Sequence, residues 1–330
     1  MPLEVSLPEN HERAEGQGLG MPAAFDLESH FAAPRKERAP HRVVGVSPAA
    51  EKPTNRPAAD KLLPGTASLR VERVRGQSDL TSAYSRSPLR LLAPRNRGTS
   101  VWAYLSSLGG GLVAGDQTRL WVEVGEQARC FLTTQASTKV YRNPAERPCS
   151  HTTEVSLGTG SVLVLASDPV QAYAGASYSQ RQQLHVHPES SLVLLDWLSC
   201  GRHARGERWA FNRFESRLEI FSGAQRVLLD SLSLDVADGP VAERLGRFNC
   251  LAAVLLLGPE LREAAARALA EAGAQPVSRR ASLIYSVNPV WGGVLVRIAG
   301  QDMEEVARDV HRRLAFVPEL LGDDPWARKW

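Results

Sequence analysis

Short runs of alternating hydrophobic and polar residues dominate the chain from Ser68 onward. They last roughly 5–10 residues, and Gly, Pro, Asn or Asp separates them, which is typical of strands with one buried face. The predicted strands are 69–74, 118–124, 128–134, 151–157, 161–166, 181–187, 191–198, 209–221 and 226–234. Since no helical stretch alternates with them, the pattern disfavours a doubly wound parallel sheet. It predicts a mainly antiparallel β architecture.

The last third of the chain changes to a helical period. Pro259 and the acids after it predict a helix start, and Gly273 predicts its end. Residues 301–315 form a second predicted helix, because apolar side chains recur there every three or four positions. Residues 283–287 and 294–298, between the helices, look like strands. The predicted fold is mainly β, with a few C-terminal α-helices.

Residues 1–64 differ in composition from the rest. The first 60 residues hold eight of the 21 prolines and no Trp, Tyr or Cys, and they mix charges of both signs. Such a segment buries too little apolar surface to offset the entropy of ordering its backbone. We predict a disordered extension over residues 1–64, with a partner-binding arm as the alternative, and one β-rich domain over residues 65–330.

Composition argues against several classes of protein, among them nucleic-acid-binding, membrane-spanning and disulfide-rich proteins. The net charge of +3, from 39 basic and 36 acidic residues, does not favour nucleic acid or a membrane surface as partner. The four cysteines are far apart, which argues against a zinc site and a disulfide scaffold. The longest apolar run, residues 251–257, is far short of the roughly 20 residues that a membrane span needs. The first residues lack the features of a signal peptide, so we expect a soluble cytoplasmic protein.

Residues 109–116, GGGLVAGD, resemble nucleotide-binding loops only superficially. A strand-like run follows them, so no helix N-terminus is available for a phosphate. Asp116 stands where a phosphate loop needs Lys, and its charge would repel a phosphate. We interpret the glycines as permitting close backbone approach or positive φ, with a functional backbone surface as the alternative.

Three histidines are candidate metal ligands. His185 and His187 would share one strand face and could form half of a metal site, although an exposed polar strand face is more common. His203 lies between Arg202 and Arg205, whose charges disfavour a bound cation there. It is therefore interpreted as part of a surface loop.

Two acids interrupt apolar runs. Asp196, in LVLLDWL, needs either an ion pair with an arginine or a polar position lining an internal cavity. Asp230 raises the same question more weakly. Trp326 and Trp330 are candidate anchors for a partner protein. Because no nucleophile–base pair or acid–base dyad is evident, the residues alone indicate a non-catalytic β-rich protein.

Several strings, in order and spacing, resemble the urease accessory protein family UreD, also called UreH. The strings are SPLRLL (87–92), GGLVAGD (110–116), TTQASTKVYR (133–142), LD (195–196), GRHARGE (201–207), LLD (228–230) and RKW (328–330). Each string is weak alone, but together they are specific, and the resemblance covers roughly residues 65–330.

The resemblance implies a non-enzymatic scaffold with a helicoidal stack of β-strands and C-terminal helices. Such a scaffold would bind UreF and, through UreF, the GTPase UreG, and it would dock on apo-urease to deliver nickel through an internal passage. It implies no tightly bound cofactor and only transient nickel.

A conduit needs weak ligands, because a tight His/Cys site would release its ion slowly. We therefore expect Asp116, Asp196 and Glu207 to line the route, with Thr133, Thr134 and Lys139 shaping it. His185 and His187 are candidates for transient metal contact, and the candidate partner-binding residues are Arg202, Arg205, Trp326 and Trp330. Two alternatives stay open: a β-rich, hydrolase-like enzyme using Asp116, Glu207 or His203, and a plain interaction scaffold without a nickel role.

Overall fold

The computed structural model describes residues 63–95, 98–144, 147, 149–274 and 278–328. The predicted extension therefore lies, up to residue 62, outside the described residues. The strands are β1 (Thr66–Val74), β2 (Gln77–Ser85), β3 (Leu89–Leu92), β4 (Val101–Ser107), β5 (Gln117–Val124), β6 (Arg129–Thr134), β7 (Thr138–Val140), β8 (Cys149–Leu157), β9 (Val162–Ala166), β10 (Val170–Ala172), β11 (Ser177–Val186), β12 (Ser191–Ser199), β13 (Arg213–Ser222), β14 (Gln225–Asp235), β15 (Cys250–Leu257), β16 (Leu283–Val290) and β17 (Gly293–Gly300). The helices are α1 (Val241–Arg244), α2 (Arg262–Ala274), α3 (Met303–Arg313) and α4 (Val317–Leu321).

The strands form two stacked sheets. One sheet has seven strands in the order β14-β13-β11-β8-β5-β1-β2. The other has ten, in the order β16-β17-β15-β12-β9-β6-β4-β3, with β10 joining β12 to β7. The prediction of a mainly β protein with C-terminal helices is confirmed, as is the stack of strand coils that the resemblance implied.

The predicted antiparallel pairing is wrong for the body of both sheets. In the seven-stranded sheet, β1, β5, β8, β11 and β13 pair side by side in parallel. In the other sheet β4, β6, β9 and β12 also pair in parallel. The chain alternates between the sheets, so each coil returns to its own sheet in the same direction. Parallel strands are usually connected through a helix, whereas here a strand of the opposite sheet makes the connection. The alternation of apolar and polar residues within one strand does not reveal the direction of its neighbour, so the parallel pairing could not be predicted from it.

Three buried apolar clusters hold the fold together, two between the sheets and one under the helices. One of the two clusters between the sheets contains Leu69, Leu120, Leu163 and Leu192. The cluster under the helices lies against the ten-stranded sheet and includes Val306 of α3. Asp302 caps α3, since its carboxylate accepts hydrogen bonds from the first-turn amides. Among the described helices, none is long and apolar enough to cross a membrane.

Candidate functional site in the interior

The space between the two sheets contains a polar band that lies between two apolar clusters. In β5, β8, β11 and β13 the inward-facing residues are apolar towards the C-terminal end of each strand and polar before it. In β8, β11 and β13 the first inward-facing residue is again a member of an apolar cluster. Parallel register aligns these polar positions: Thr118 lies beside His151, His151 beside Gln180, and Gln180 beside Ser216. The four side chains form a polar row across four strands of the seven-stranded sheet.

Asp196 faces this row from β12 in the opposite sheet. Its two carboxylate oxygens accept hydrogen bonds from Gln180 Nε2 at 2.9 and 2.8 Å, and Oδ2 also accepts from Ser216 Oγ at 3.0 Å and from Gln182 Nε2 at 3.3 Å. None of the ion pairs found within the described ranges involves Asp196. The sequence left two explanations for Asp196 open. An ion pair with an arginine is wrong, and a polar position that lines a cavity is correct. Burial raises the pKa of this carboxyl, and the hydrogen bonds from Gln180 and Ser216 oppose that rise.

None of the four residues of this row was predicted from the sequence, and His151 is the one of them that can titrate. Its ring lies between two hydroxyls, with Nδ1 2.8 Å from Thr118 Oγ1 and Nε2 3.1 Å from Thr153 Oγ1. Burial lowers the pKa of His151 to about 4, so the imidazole is neutral near neutral pH. The sequence did contain one indication that His151 faces inward. It lies an even number of residues from Val155 and Leu157 of the same strand, so all three side chains share the buried face.

Two cavities meet at Asp196. The first has a volume of about 280 Å³ and the second about 520 Å³, and Asp196 lines both. Of the other predicted route residues, the first cavity is lined by Thr133, Thr134 and Lys139. The Thr133 hydroxyl donates to the Ala166 carbonyl at 2.6 Å, and the Thr134 hydroxyl lies 2.9 Å from Asp168 Oδ2.

The second cavity is more apolar and has an ion pair among its lining residues. Arg297 on β17 contacts Asp230 on β14 at 2.7 Å, which joins the two sheets. Asp230 is therefore explained by an ion pair, the interpretation that failed for Asp196. Together, the cavities extend from the 133–139 segment, past Asp196, to this ion pair.

Asp116 is placed at the edge of this interior and does not line either cavity. Its carboxylate accepts a hydrogen bond from the Val113 amide at 2.8 Å, which closes the glycine loop. A Cβ on Gly111 would lie 2.5 Å from the Lys139 carbonyl oxygen, so the close backbone approach predicted for the glycines is confirmed. Gly110 of the same loop borders the first cavity.

Glu207 is engaged in a different cluster. Its carboxylate pairs with Arg202 and accepts a hydrogen bond from the Ala174 amide at 3.3 Å. The hydrogen bond from Arg202 lowers the pKa of Glu207. The Arg202 guanidinium also lies over the Tyr173 ring, 4.5 Å from its centroid. The neighbouring Arg205 is exposed.

The remaining predicted residues lie apart from the cavities. His185 faces outward from β11 and stacks on Phe221 at 5.1 Å, while His187 lies in the following turn and accepts a hydrogen bond from the Glu189 amide. His203 is exposed in a short 3₁₀ turn. Trp326 is half-buried against Phe131 at 5.2 Å, and Trp330 lies outside the described residues.

The polar groups of this site are spread along the cavity walls. In the part of the chain that the structure describes, no three His, Cys, Asp or Glu side chains are placed to hold a metal ion together. The interior instead offers isolated oxygen and nitrogen donors along two adjoining cavities. The fold and site thus define a stacked-coil β protein with polar side chains lining two adjoining cavities.

The chain belongs to the UreD urease accessory protein family, whose model matches residues 64–330. It is 46% identical over 267 residues to urease accessory protein UreD of Sorangium cellulosum, covering 81% of this chain and 84% of that protein. It is 39% identical to UreD of Anaeromyxobacter, covering 80% of this chain and 89% of that protein. Urease accessory protein D of Arabidopsis thaliana is 31% identical, over 79% of this chain and 99% of the relative. These relatives support a role in urease maturation.

Proposed function

We propose that this protein is a urease-maturation chaperone that passes nickel ions through its interior to apo-urease. The observation that carries this proposal is the position of Asp196, a carboxylate without an ion-pair partner in the described residues, which lines both cavities. The polar row of Thr118, His151, Gln180 and Ser216 supports it, because these side chains place oxygen and nitrogen atoms along the walls of the same two cavities.

The donors along this route suit transfer better than storage. Ni²⁺ binds imidazole and carboxylate, and a closed cage of such ligands would hold it tightly. At an association rate constant of about 10⁶ M⁻¹s⁻¹, a nanomolar site would release its ion only about once in a thousand seconds. Asp196 and His151 come from different sheets, with Gln180 bonded to the carboxylate, so an ion passing them exchanges one weak contact for another. His151 is neutral near neutral pH, so a passing ion would compete for its lone pair with a threonine hydroxyl and not with a bound proton.

The partners of the proposal follow from the family. We propose that the protein works in the cytoplasm, binds UreF, reaches the GTPase UreG through UreF, and docks on apo-urease, with no tightly bound cofactor and no nucleic acid or membrane partner. Arg202 and Arg205 form a partly exposed basic loop. Together with Trp326 and Trp330 they are the proposed partner contacts. A carboxylate-bearing partner surface would suit these arginines.

The test replaces Asp196 and measures nickel in urease. In cells that express the urease genes, we expect Asp196→Ala to give urease with nickel content and activity close to those of cells lacking this gene. Asp196→Asn keeps the side-chain shape but removes the charge, so it separates charge from packing. The matched control is Asp79→Asn, an exposed acid on β2, which should leave loading at the wild-type level.

Complex assembly is measured on the same variants. Co-purification of UreF, UreG and urease with Asp196→Asn should match the wild type, because Asp196 is interior. Full nickel loading in both Asp196 variants would remove this residue from the route and favour a plain scaffold. Fully loaded urease in cells without the gene would refute the maturation role and reopen the enzymatic alternative with Asp116, Glu207 and His203.

A further inference from the structure

The loops at one end of the first cavity form a continuous surface. The Gly115 amide of the glycine loop donates a hydrogen bond to the Arg147 carbonyl at 2.8 Å. Tyr141, which precedes Arg147 in the chain, packs edge-on against Tyr173 with the ring centroids 5.5 Å apart. The Arg202 guanidinium in turn lies 4.5 Å from the centre of the Tyr173 ring. We call this the opening surface, and its described residues are 108–116, 139–144, 147, 173–175 and 202–207.

The first cavity reaches the outside beside this surface. Its lining residues include the exposed Gly110, Gln135 and Ala136 and the partly exposed Lys139. The Lys139 carbonyl accepts a hydrogen bond from the Leu112 amide at 2.8 Å, so the glycine loop forms one wall of the entrance. A partner that covers the opening surface therefore also covers the entrance to the cavity.

Two large aliphatic side chains project from the glycine loop. Leu108 is 50% exposed and Val113 is 54% exposed, on either side of the three glycines. A single exposed aliphatic side chain is ordinary, but these two belong to one loop, in a surface that also holds Tyr141 and Arg202. Tyrosine and arginine are enriched in protein interfaces, and apolar contacts at the centre of an interface exclude water from the polar ones. The composition of the opening surface thus suits a protein partner.

The opening surface also carries a surplus of positive charge. Within the described residues, no ion pair includes Lys139, Arg142, Arg147 or Arg205. The three arginines among them are exposed. Arg147 lies against Gly115, since a Cβ there would be 3.7 Å from its guanidinium carbon. In the sequence, the segments 108–116, 139–147, 173–175 and 202–207 together hold five basic and three acidic residues.

From these observations we propose that the opening surface docks a protein partner whose own surface carries carboxylates around an apolar group. Carboxylates pair well with arginines, and the apolar group would cover Leu108 and Val113. The identity of the partner rests on the proposed function. Like charges repel, so an entrance with surplus positive charge keeps a free divalent cation away. The ion therefore arrives with an acidic partner, on the delivering side of the assembly, and the partner to test is UreF.

The experiment measures the affinity of the purified full chain for purified UreF at about 0.1 and 0.5 M NaCl. Leu108→Ser and Val113→Ser should each weaken binding about tenfold, because each removes an apolar contact from the centre of the interface. Arg142→Glu and Arg147→Glu should each weaken binding by about three- to tenfold at the lower salt concentration. Their difference from the wild type should shrink at the higher concentration, because salt screens exposed charges.

The matched controls lie at the other end of the seven-stranded sheet. Val74→Ser changes an aliphatic side chain that is 40% exposed, and Arg75→Glu changes an exposed arginine in the following turn. β1 begins beside the start of β5, which follows the glycine loop, and it extends about 25 Å to these residues. Both controls should bind UreF as the wild type does. Since all the changed side chains are exposed, thermal unfolding of each variant should match that of the wild type.

Wild-type affinity for UreF in both aliphatic variants, or in both arginine variants, would overturn the proposal. Absence of UreF binding to the wild type would overturn it too, as would loss of apo-urease binding in these variants while UreF binding is retained. Loss of binding only to vesicles that contain phosphatidylserine would overturn it by assigning the surface to a membrane. In each of these cases nickel loading of urease would still depend on the gene if the proposed function holds, whereas loading without the gene would refute that function instead.

Discussion

His151 makes the stability of this protein depend on pH in a way that one substitution isolates. The perturbation is His151→Gln, because a glutamine amide can still donate to one of the hydroxyls of Thr118 and Thr153 and accept from the other. Glutamine does not titrate, so the variant lacks the proton linkage of the histidine. The difference between the two proteins across pH therefore reports on this one side chain.

The expected loss of stability follows from the lowered pKa of His151. Burial lowers the pKa of His151 from 6.5 to about 4. Below a pH of about 6.5 the unfolded chain binds a proton that the folded chain does not bind, so stability falls as the pH drops and stops falling near pH 4. At a pH of about 5 the loss amounts to about 2 kcal/mol, and it reaches about 3 kcal/mol at pH 4.

The assay is urea unfolding at pH values of about 7.5, 6 and 5. From the highest to the lowest, wild type should lose about 2 kcal/mol more free energy of unfolding than His151→Gln. His203→Gln removes an exposed histidine and should behave as the wild type. Parallel pH profiles for wild type and His151→Gln would refute the reasoning, because they would mean that His151 takes up its proton equally in the folded and unfolded chains.

Two further predictions concern the outer sheet face and the glycine loop. Glu219 is 4% exposed and bonded to three arginines, which lower its pKa to about 2. The stabilisation by ionised Glu219 is present above a pH of about 4.5 and is lost as the pH falls towards 2. In urea unfolding, Glu219→Gln should therefore cost about 1–3 kcal/mol at neutral pH, and its free energy of unfolding should fall less than that of the wild type between about pH 4.5 and pH 2. Gly111→Ala should cost about 1–3 kcal/mol in the same assay, because the new Cβ meets the Lys139 carbonyl at 2.5 Å. Gly273→Ala in α2, with open space around it, should instead be neutral or stabilising by up to about 1 kcal/mol; equal losses at both glycines would contradict the packing explanation.

Strands buried on both faces were the hardest elements to predict. β15, Cys250–Leu257, was noted only as the longest apolar run, because a continuous apolar stretch has no period that separates strand from helix. β2 was missed for the opposite reason: as an edge strand it is mostly polar and exposed. By contrast, β5, Gln117–Val124, alternates cleanly, since one face is buried and one is not, and its predicted bounds were correct within one residue.

The candidate site was partly visible in the sequence. Asp196 stood out because a carboxylate in an apolar run demands an explanation, and Thr133, Thr134 and Lys139 were carried by the family resemblance. His151 had only a weak signal, its alternation in phase with Val155 and Leu157, and this phase did not show that the ring lines a cavity. Glu207 was expected on the route, but its pairing with Arg202 depends on the fold of the 202–207 turn.

The sequence by itself determined the local structure: the period of two gave most strands and their buried faces, and the period of 3.6 gave the helices α2 and α3. Only the tertiary structure decided that the strands pair in parallel coils, and that Thr118, His151, Gln180 and Ser216 form one row opposite Asp196. The physical reason is that alternation depends on neighbours two residues apart, whereas register and sheet order depend on contacts between strands far apart in the chain.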